Sequence, residues 1–421
     1  MSEANKSNRE PRMPKVWESC ITLAALIGVL AIGIVIFGAA VHVPMFVGVC
    51  VAALMALYLG HKWDSIEKMM MDGIYKALQS ICILIIVGIL IGVWINAGVV
   101  PTMIYYGLKI MHPAIFFIAA VLICSITSLA TGTSWGTMGT MGVALMGIGF
   151  GLDMNPAMTA GAILSGAYFG DKMSPLSDTT NLAPAMAGTD VIAHVKAMMI
   201  PTVVTYAITL VVFGVFGAMQ YHGGEADMSR VTEFAAALNA AEGGVFNINP
   251  ILLLPPVIVI VAVAMKMPAI PGITLGIFAG AVLGLIFQPN ACDLGTLFSF
   301  GMDGYAFSDE MRAVLQSSLT EDTYNTMVEL LEKGGIMNMM NSVAMTIIAM
   351  MFGGIMEGTH QLEVVVNKLK KLAKGPAGLV TLTEITCVIS NMTMPEQYIS
   401  IVVPGRMYAE EYRKMGLHPS V

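Results

Sequence analysis

The sequence predicts an all-α polytopic membrane protein, and three observations carry that prediction. Of its 421 residues, 56% are hydrophobic and only 12% are charged, about half the charged share of a soluble domain. Apolar runs of about 20 residues recur along the chain, each long enough to cross a bilayer core as a helix. Segments rich in glycine, serine and threonine interrupt several of these runs at membrane depth, the pattern of broken helices.

The same composition excludes other classes. The six cysteines are far apart, with no CxxC or CxxH spacing, so neither a zinc site nor a disulfide framework is indicated. The formal charge of −7 is modest and points to no nucleic-acid partner. The N-terminus is polar and basic before the first apolar run begins near Cys20, unlike a cleavable signal peptide. The 36 methionines and 43 glycines suit close helix packing in lipid. An intramembrane enzyme would need a nucleophile with its base, or a metal motif, and neither HExxH nor GxSxG is apparent.

In order, the predicted spans are 19–39, 44–60, 77–97, 113–130, 156–170 and 190–219, then 250–266, 270–288, 336–357, 376–390 and 395–408. Basic residues mark cytoplasmic ends. Lys6, Arg9, Arg12 and Lys15 place the N-terminus inside, and Lys62, Lys68 and Lys76 mark the next inside loop. Loops 220–249 and 289–335 are acidic and read as external, the second as partly helical. Lys368, Lys370, Lys371 and Lys374 make 361–375 internal.

These placements start the second half outside and the first half inside. The halves also echo each other: 42–60 is similar to 266–284, and 87–98 to 348–358. At an offset of 260, Gly98 answers Gly358 and Thr133 answers Thr393. Opposite orientation with weak similarity predicts two inverted-topology repeats, the plan of many secondary transporters. The expected organisation is a cytoplasmic tail (1–18), a first membrane repeat (19–219), an external linker (220–249) and a second repeat (250–421).

Two interruptions carry the chemistry. SLATGTSWGTMGTMG (128–142) reads as a re-entrant tip or an unwound helix whose hydroxyls and carbonyls line a cavity; small residues for tight packing are the plainer alternative. Its repeat partner, ISNMTMPEQYIS (389–400), clusters polar groups around Pro395. The expected substrate cavity therefore takes Thr131, Gly132, Thr133 and Ser134 from one half, and Asn391, Thr393, Glu396 and Gln397 from the other.

SGAYFGDKMSPLSDTTN (165–181) places two carboxylates and several hydroxyls around Pro175. Proline removes a backbone donor, so 171–189 is expected to be unwound. Hard cations prefer such all-oxygen surroundings. Burial raises a carboxylate's proton affinity, so one group can hold a proton or a sodium ion in turn. Asp171, Asp178, Ser174, Ser177, Thr179, Thr180 and Asn181 form the expected ion- and proton-binding set, with Asp178 and Asp171 as the sodium ligands. Lys172 paired with either carboxylate is the purely structural alternative. Asp153, Asp190, Glu357 and Glu384 rank below them, the first two as solvated loop ends. A channel remains open on composition, but ionisable groups within inverted repeats favour alternating access.

The stretches 103–108, 128–149, 162–190, 352–357 and 397–408 resemble the NhaC family of sodium/proton antiporters across nearly the whole chain. That resemblance implies a multi-pass exchanger of the bacterial cytoplasmic (inner) membrane, built from inverted repeats with re-entrant hairpins. Its implied partners are sodium ions, protons and the lipid bilayer, and a homodimer is implied by the family alone. It implies no cofactor, sodium being a transported substrate. The family also includes a malate/lactate antiporter coupled to protons and sodium, the alternative function. A second copy of 165–181 would fall near 425–441, so the second repeat is expected to be incomplete at Val421.

Overall fold

The computed structural model describes residues 11–220, 225–265, 267–370, 375–393 and 397–417. The regular structure of the described residues is helical, with a single isolated bridge between Asn239 and Phe246 as the only β pairing among them. In chain order the helices are α1 (Val16–Ala31), α2 (His42–Tyr58), α3 (Trp63–Asn96), α4 (Val99–Ile110), α5 (Phe116–Thr131), α6 (Ser134–Thr137) and α7 (Val143–Gly151). Then come α8 (Pro156–Met173), α9 (Asp178–Ala187), α10 (Val191–Gln220), α11 (Glu225–Leu238), α12 (Leu254–Ala264) and α13 (Ala269–Phe287). The rest are α14 (Leu294–Asp303), α15 (Asp309–Ser318), α16 (Glu321–Leu331), α17 (Ile336–Gly358), α18 (Gln361–Lys370), α19 (Gly375–Thr393) and α20 (Gln397–Lys414).

Six of the described helical segments are long and apolar enough to cross a membrane. The clearest is α10: its mean hydropathy is 2.1, yet only 6% of its apolar window is buried. Ile200 is 77% exposed and Val211 65%. An apolar face that protein does not cover is covered by lipid in a chain of this composition. At 34 residues, α3 is about 50 Å long, well beyond the roughly 30 Å hydrocarbon core. It begins earlier than the expected 77–97 because its first turns carry Asp64, Glu67, Lys68, Asp72 and Lys76, which hydropathy alone sets aside. Helix α4 is short and follows the left-handed Gly98 directly, so no 20-residue apolar run announces it. The expected helical content of 289–335 is present as α14, α15 and α16, capped by Asp293, Ser308 and Thr320.

The chain divides into two compact units, 1–81 with 182–190 and 342–421, and 82–181 with 191–341. In the first, α1 packs on α2 and α18, and α19 on α20. There α3 and α17 approach at backbone distance, since a Cβ on Gly73 would lie 2.3 Å from the Met350 carbonyl oxygen. Near that crossing, Lys76 Nζ and Glu357 Oε2 form an ion pair at 2.5 Å. In the second unit the core gathers Trp94, Phe116 and Phe117, and Trp94 Nε1 donates to the Gly276 carbonyl (2.9 Å).

Helices α5 and α8 are the most closely packed pair of the second unit. Gly166 and Gly170 lie one turn apart on α8, a GxxxG spacing that lets helix backbones meet in lipid. A Cβ at Gly166 would fall 2.3 Å from the Val121 carbonyl oxygen, and one at Gly170 2.4 Å from that of Ser125. Helix α8 starts cleanly, with Asn155 accepting from the Met158 amide (3.1 Å) and Pro156 in its first turn. Between α6 and α7, residues Met138–Gly142 form a π-helical turn.

A polar cluster ties α4 to the segment after α11. Tyr105 Oη donates to Glu242 Oε1 (2.5 Å), Asn239 Nδ2 donates to the same oxygen (3.1 Å), and Lys109 Nζ lies 3.6 Å away. The Tyr105 hydrogen bond, aided by Asn239 and Lys109, holds the Glu242 carboxyl below the usual carboxylate range. A group depressed on folding stabilises above its unfolded value, about 4.3, and that contribution disappears as pH falls through the folded value.

Two outcomes follow from this packing. Gly170→Ala lowers the thermal midpoint in detergent, with a cost of about 1–3 kcal/mol for overpacking, whereas Gly28→Ala, with nothing within 4 Å of the added carbon, does not. Tyr105→Phe destabilises at neutral pH, and its midpoint difference from the wild type narrows as the pH is lowered below about 4. A pH-independent difference would refute the role given to Glu242.

Candidate functional site

Polar residues meet where two helices of the second unit are interrupted. Helix α5 ends at Thr131, and the chain turns at Gly132, whose φ of 68° lies in the left-handed region. A Cβ there would stand 2.8 Å from the carbonyl carbon of Leu176, so the turn requires glycine for both conformation and space. Thr133 then caps α6, its Oγ1 accepting from the Gly136 amide (3.2 Å). Helix α8 ends at Met173, and residues 174–177 are irregular before α9 begins. Gly132 and Leu176 thus bring one interruption against the other.

Asp171 lies at this junction, 6% exposed, and its Oδ2 accepts a hydrogen bond from Ser134 Oγ (2.8 Å). Ser174, fully buried, donates to the Leu129 carbonyl (2.8 Å). Thr180 Oγ1 donates to the carbonyls of both Asp171 and Lys172 (3.0 Å each). Ser177 Oγ and Thr179 Oγ1 are 2.9 Å apart, and Asn181 Nδ2 donates to the carbonyls of Pro175 (2.9 Å) and Ser177 (2.7 Å). These bonds add side-chain donors to carbonyls around the break, those of Asp171 and Ser177 also accepting from the Ser174 and Asn181 amides (3.2 and 3.1 Å). Each hydroxyl that gives its proton away keeps lone pairs, so the junction carries several oxygens on the same interruption as a buried carboxylate, with Ser134 Oγ in contact with it.

The expected unwound stretch of 171–189 is therefore corrected to 174–177. Pro175 does stop the ladder, but Ser177 sits at the cap position and α9 resumes at Asp178, running through Pro184 to Ala187. The backbone of Asp178 opens α9, and its side chain lies outside the described residues. From the expected cavity set, Thr131, Gly132, Thr133 and Ser134 come to the junction, with Thr131 Oγ1 3.5 Å from Thr137 Oγ1. The second set belongs to the other unit. There Asn391 Oδ1 accepts from Ser400 (2.5 Å), and Thr393 is the last described residue of α19. The side chains of Thr393 and Gln397, and all of Glu396, lie outside the described residues.

Of the lower-ranked charges, Glu357 pairs with Lys76. Asp153, Asp190 and Glu384 are exposed. Sequence reasoning missed Ser128, whose Oγ donates to the Ala167 carbonyl (2.6 Å) and links α5 to α8 just below the junction. Its signal was available: Ser125, Ser128 and Gly132 share one face of α5, opposite the GxxxG of α8.

Interrupted helices around a buried ionisable group, in a chain with several membrane-crossing helices, define a polytopic membrane protein of the secondary-transporter class. The chain belongs to the Na+/H+ antiporter family, whose model matches residues 12–217 and 166–421. It is 35% identical over 409 residues to a malate-2H+/Na+-lactate antiporter of Bacillus subtilis, covering 97% of this chain and 83% of that relative. It is 33% identical over 377 residues to the Na+/H+ antiporter NhaC of Alkalihalophilus pseudofirmus, covering 89% and 77%. An arginine/ornithine antiporter of Halobacterium salinarum is 30% identical over 400 residues, covering 95% and 79%. The chain is thus a transporter of an antiporter family rather than an enzyme.

Removing the Ser134 hydroxyl isolates its bond to the carboxylate. Removing one partner of a buried hydrogen bond costs about 1–3 kcal/mol. Ser134→Ala is expected to lower stability by that order at neutral pH, read as a drop in thermal midpoint. Thr179→Ala, whose partner is another hydroxyl, costs less.

Proposed function

We propose that the chain exchanges sodium ions for protons across a bacterial cytoplasmic membrane, at Asp171. The observation that carries this reading is the buried carboxylate hydrogen-bonded to Ser134 where the two helix interruptions meet. A carboxylate withdrawn from water binds a proton readily, and the same oxygens suit a hard cation. Sodium and protons therefore compete for one group, which is what coupled exchange requires. The hydroxyl oxygens of Ser134, Ser174 and Thr180 complete an oxygen shell, while Ser177, Thr179 and Asn181 hold the interruption open. Asp178, the first residue of α9, is proposed as the second carboxylate.

Alternating access would expose this group to each side in turn, with the two inverted repeats as the moving parts. Helix ends support the repeat: α3 stops just before Gly98 and α17 at Gly358. In that arrangement Asn391, Thr393, Glu396 and Gln397 play the matching part in the second repeat. Exchange of organic anions, as named for the Bacillus relative, is the second reading. It is favoured by a lysine-bearing cavity on the neighbouring face of α8.

In proteoliposomes, an imposed sodium gradient is expected to drive opposite proton movement, read by a pH-sensitive dye. Asp171→Asn and Asp178→Asn each abolish it, while Ser134→Ala raises the half-saturating sodium concentration by about tenfold or more. Undiminished exchange by a folded Asp171→Asn protein refutes the assignment.

A further inference from the structure

We propose that the groove between α8 and α10 seats an anionic phospholipid of the inner leaflet, its phosphate on Lys172 and a chain ester on Thr202. The groove measures about 310 Å3, so it takes the upper part of a lipid and leaves the tails along the helix. From α8, Tyr168, Phe169 and Lys172 line it at positions i, i+1 and i+4, and from α10 Thr202, Thr205 and Thr209 at i, i+3 and i+7. Each set is a single helical stripe. The two helices run antiparallel: Gly161 faces the Phe213 ring, and Phe169 stacks on Tyr206 with centroids 3.7 Å apart. Lys172 follows the stack by one turn on α8, and Thr202 precedes it by one turn on α10, so both lie about equally far toward the same surface. With 220–249 outside, that surface is the cytoplasmic one. His194, about two turns nearer the start of α10, is close enough to Lys172 for their charges to interact.

What the groove opens on decides the class of ligand. Only 6% of the apolar window of α10 is buried, and Val203 and Val204, next to Thr202, are exposed. The groove therefore opens sideways on hydrocarbon rather than on water. Lys172 is the one charged side chain among the described lining residues, and it is exposed. A lysine so placed lays its stem along apolar surface and carries its ammonium to headgroup level. Basic pockets between transmembrane helices on the cytoplasmic side bind anionic headgroups. Thr205 donates to the Pro201 carbonyl and Thr209 to the Thr205 carbonyl (2.9 Å each). With their hydroxyls turned to their own helix, they show methyl groups to the groove.

Thr202 differs. It is 7% exposed and its hydroxyl has no hydrogen-bond partner, although buried hydroxyls are nearly always paired. A chain ester, next below the phosphate in a phospholipid, offers a carbonyl acceptor and no proton, which suits that donor. Beyond it the Phe169 and Tyr206 rings wall an acyl chain. A soluble anion would gain the lysine but would give up its water on the side open to lipid. Asp171 turns to Ser134 on another face of α8, so the lipid seat is independent of the antiport reading.

The test uses the full chain in phosphatidylcholine bilayers with a trace of spin-labelled phosphatidylglycerol or phosphatidylcholine, the immobilised fraction being read by electron paramagnetic resonance. Phosphatidylglycerol is expected to be retained over phosphatidylcholine by about fivefold. Lys172→Gln abolishes that preference, and Lys172→Arg keeps it. Thr202→Val lowers retention of both lipids alike, since both carry the ester. Lys196→Gln, at an exposed lysine off the α10 stripe, changes nothing. A preference unaltered in Lys172→Gln overturns the inference. An equal loss in Lys196→Gln does so too, assigning the preference to general surface charge. Release of the labelled phosphatidylglycerol by malate or inorganic phosphate, and not by chloride at equal ionic strength, assigns the groove to a soluble anion and also overturns it. The antiport reading stands or falls separately, on exchange by Asp171→Asn.

Discussion

The backbone contact between α5 and α8 is the constraint on which the rest of the second unit depends. In lipid there is no hydrophobic gain from bringing two apolar helices together, so close packing and interhelical hydrogen bonds must hold them. Gly166 and Gly170 let α8 press against the carbonyls of Val121 and Ser125. Only at that separation can Ser128 reach the Ala167 carbonyl and Ser174 the Leu129 carbonyl. These cross-bonds fix the two interruptions in register. Asp171 follows Gly170 directly, so its burial against Ser134 is a consequence of the same contact.

Polarity is distributed by the solvent each surface meets. The outer faces of α10 and α13 are apolar and uncovered, with Ile208 and Phe278 among their exposed residues. Hydroxyls and one carboxylate concentrate instead where helices α5 and α8 are interrupted, and nearly every one of those hydroxyls is committed to a carbonyl or an oxygen neighbour. An unsatisfied polar group in hydrocarbon is costly, so the commitment explains how a chain this oily tolerates such a cluster. Charged pairs are placed differently: Lys76 with Glu357 and Lys109 with Glu242 are half-exposed on both partners.

Much of this was legible in the sequence. Apolar run length placed most of the long helices, and the departure from apolar composition at 128–142 and 165–181 marked both interruptions. That Thr131 to Ser134 belong with Asp171 was not: polarity grouped them with 391–397, and only the Ser134 hydrogen bond joins them to the carboxylate. What was not legible depends on local competition. Pro175 predicted a long unwound segment, yet Ser177 offers a cap two residues later, and capping restarts a helix wherever the following residues allow it. Short α4 escaped because burial by protein, not length, sustains it: Val99, Thr102 and Ile104 are fully buried. The contact of Gly132 with Leu176 joins residues 44 positions apart, a separation over which no periodicity reports.

The π-helical turn at Met138–Gly142 bears on how the chain tolerates changes in its own length. Such a turn holds one residue more than an α-helical turn, and each residue advances a helix by about 100°. The extra residue therefore sets the rotational phase of Val143–Gly151 relative to Ser134. In the present phase three points along this interrupted helix meet α8: Ser134 at Asp171, Gly142 at Ile163 and Gly149 at Thr159. A chain one residue shorter would form the smoother helix yet turn a different flank to its neighbour. Length at this point is thus a determinant of fit, as stringent as the identity of any side chain in the junction.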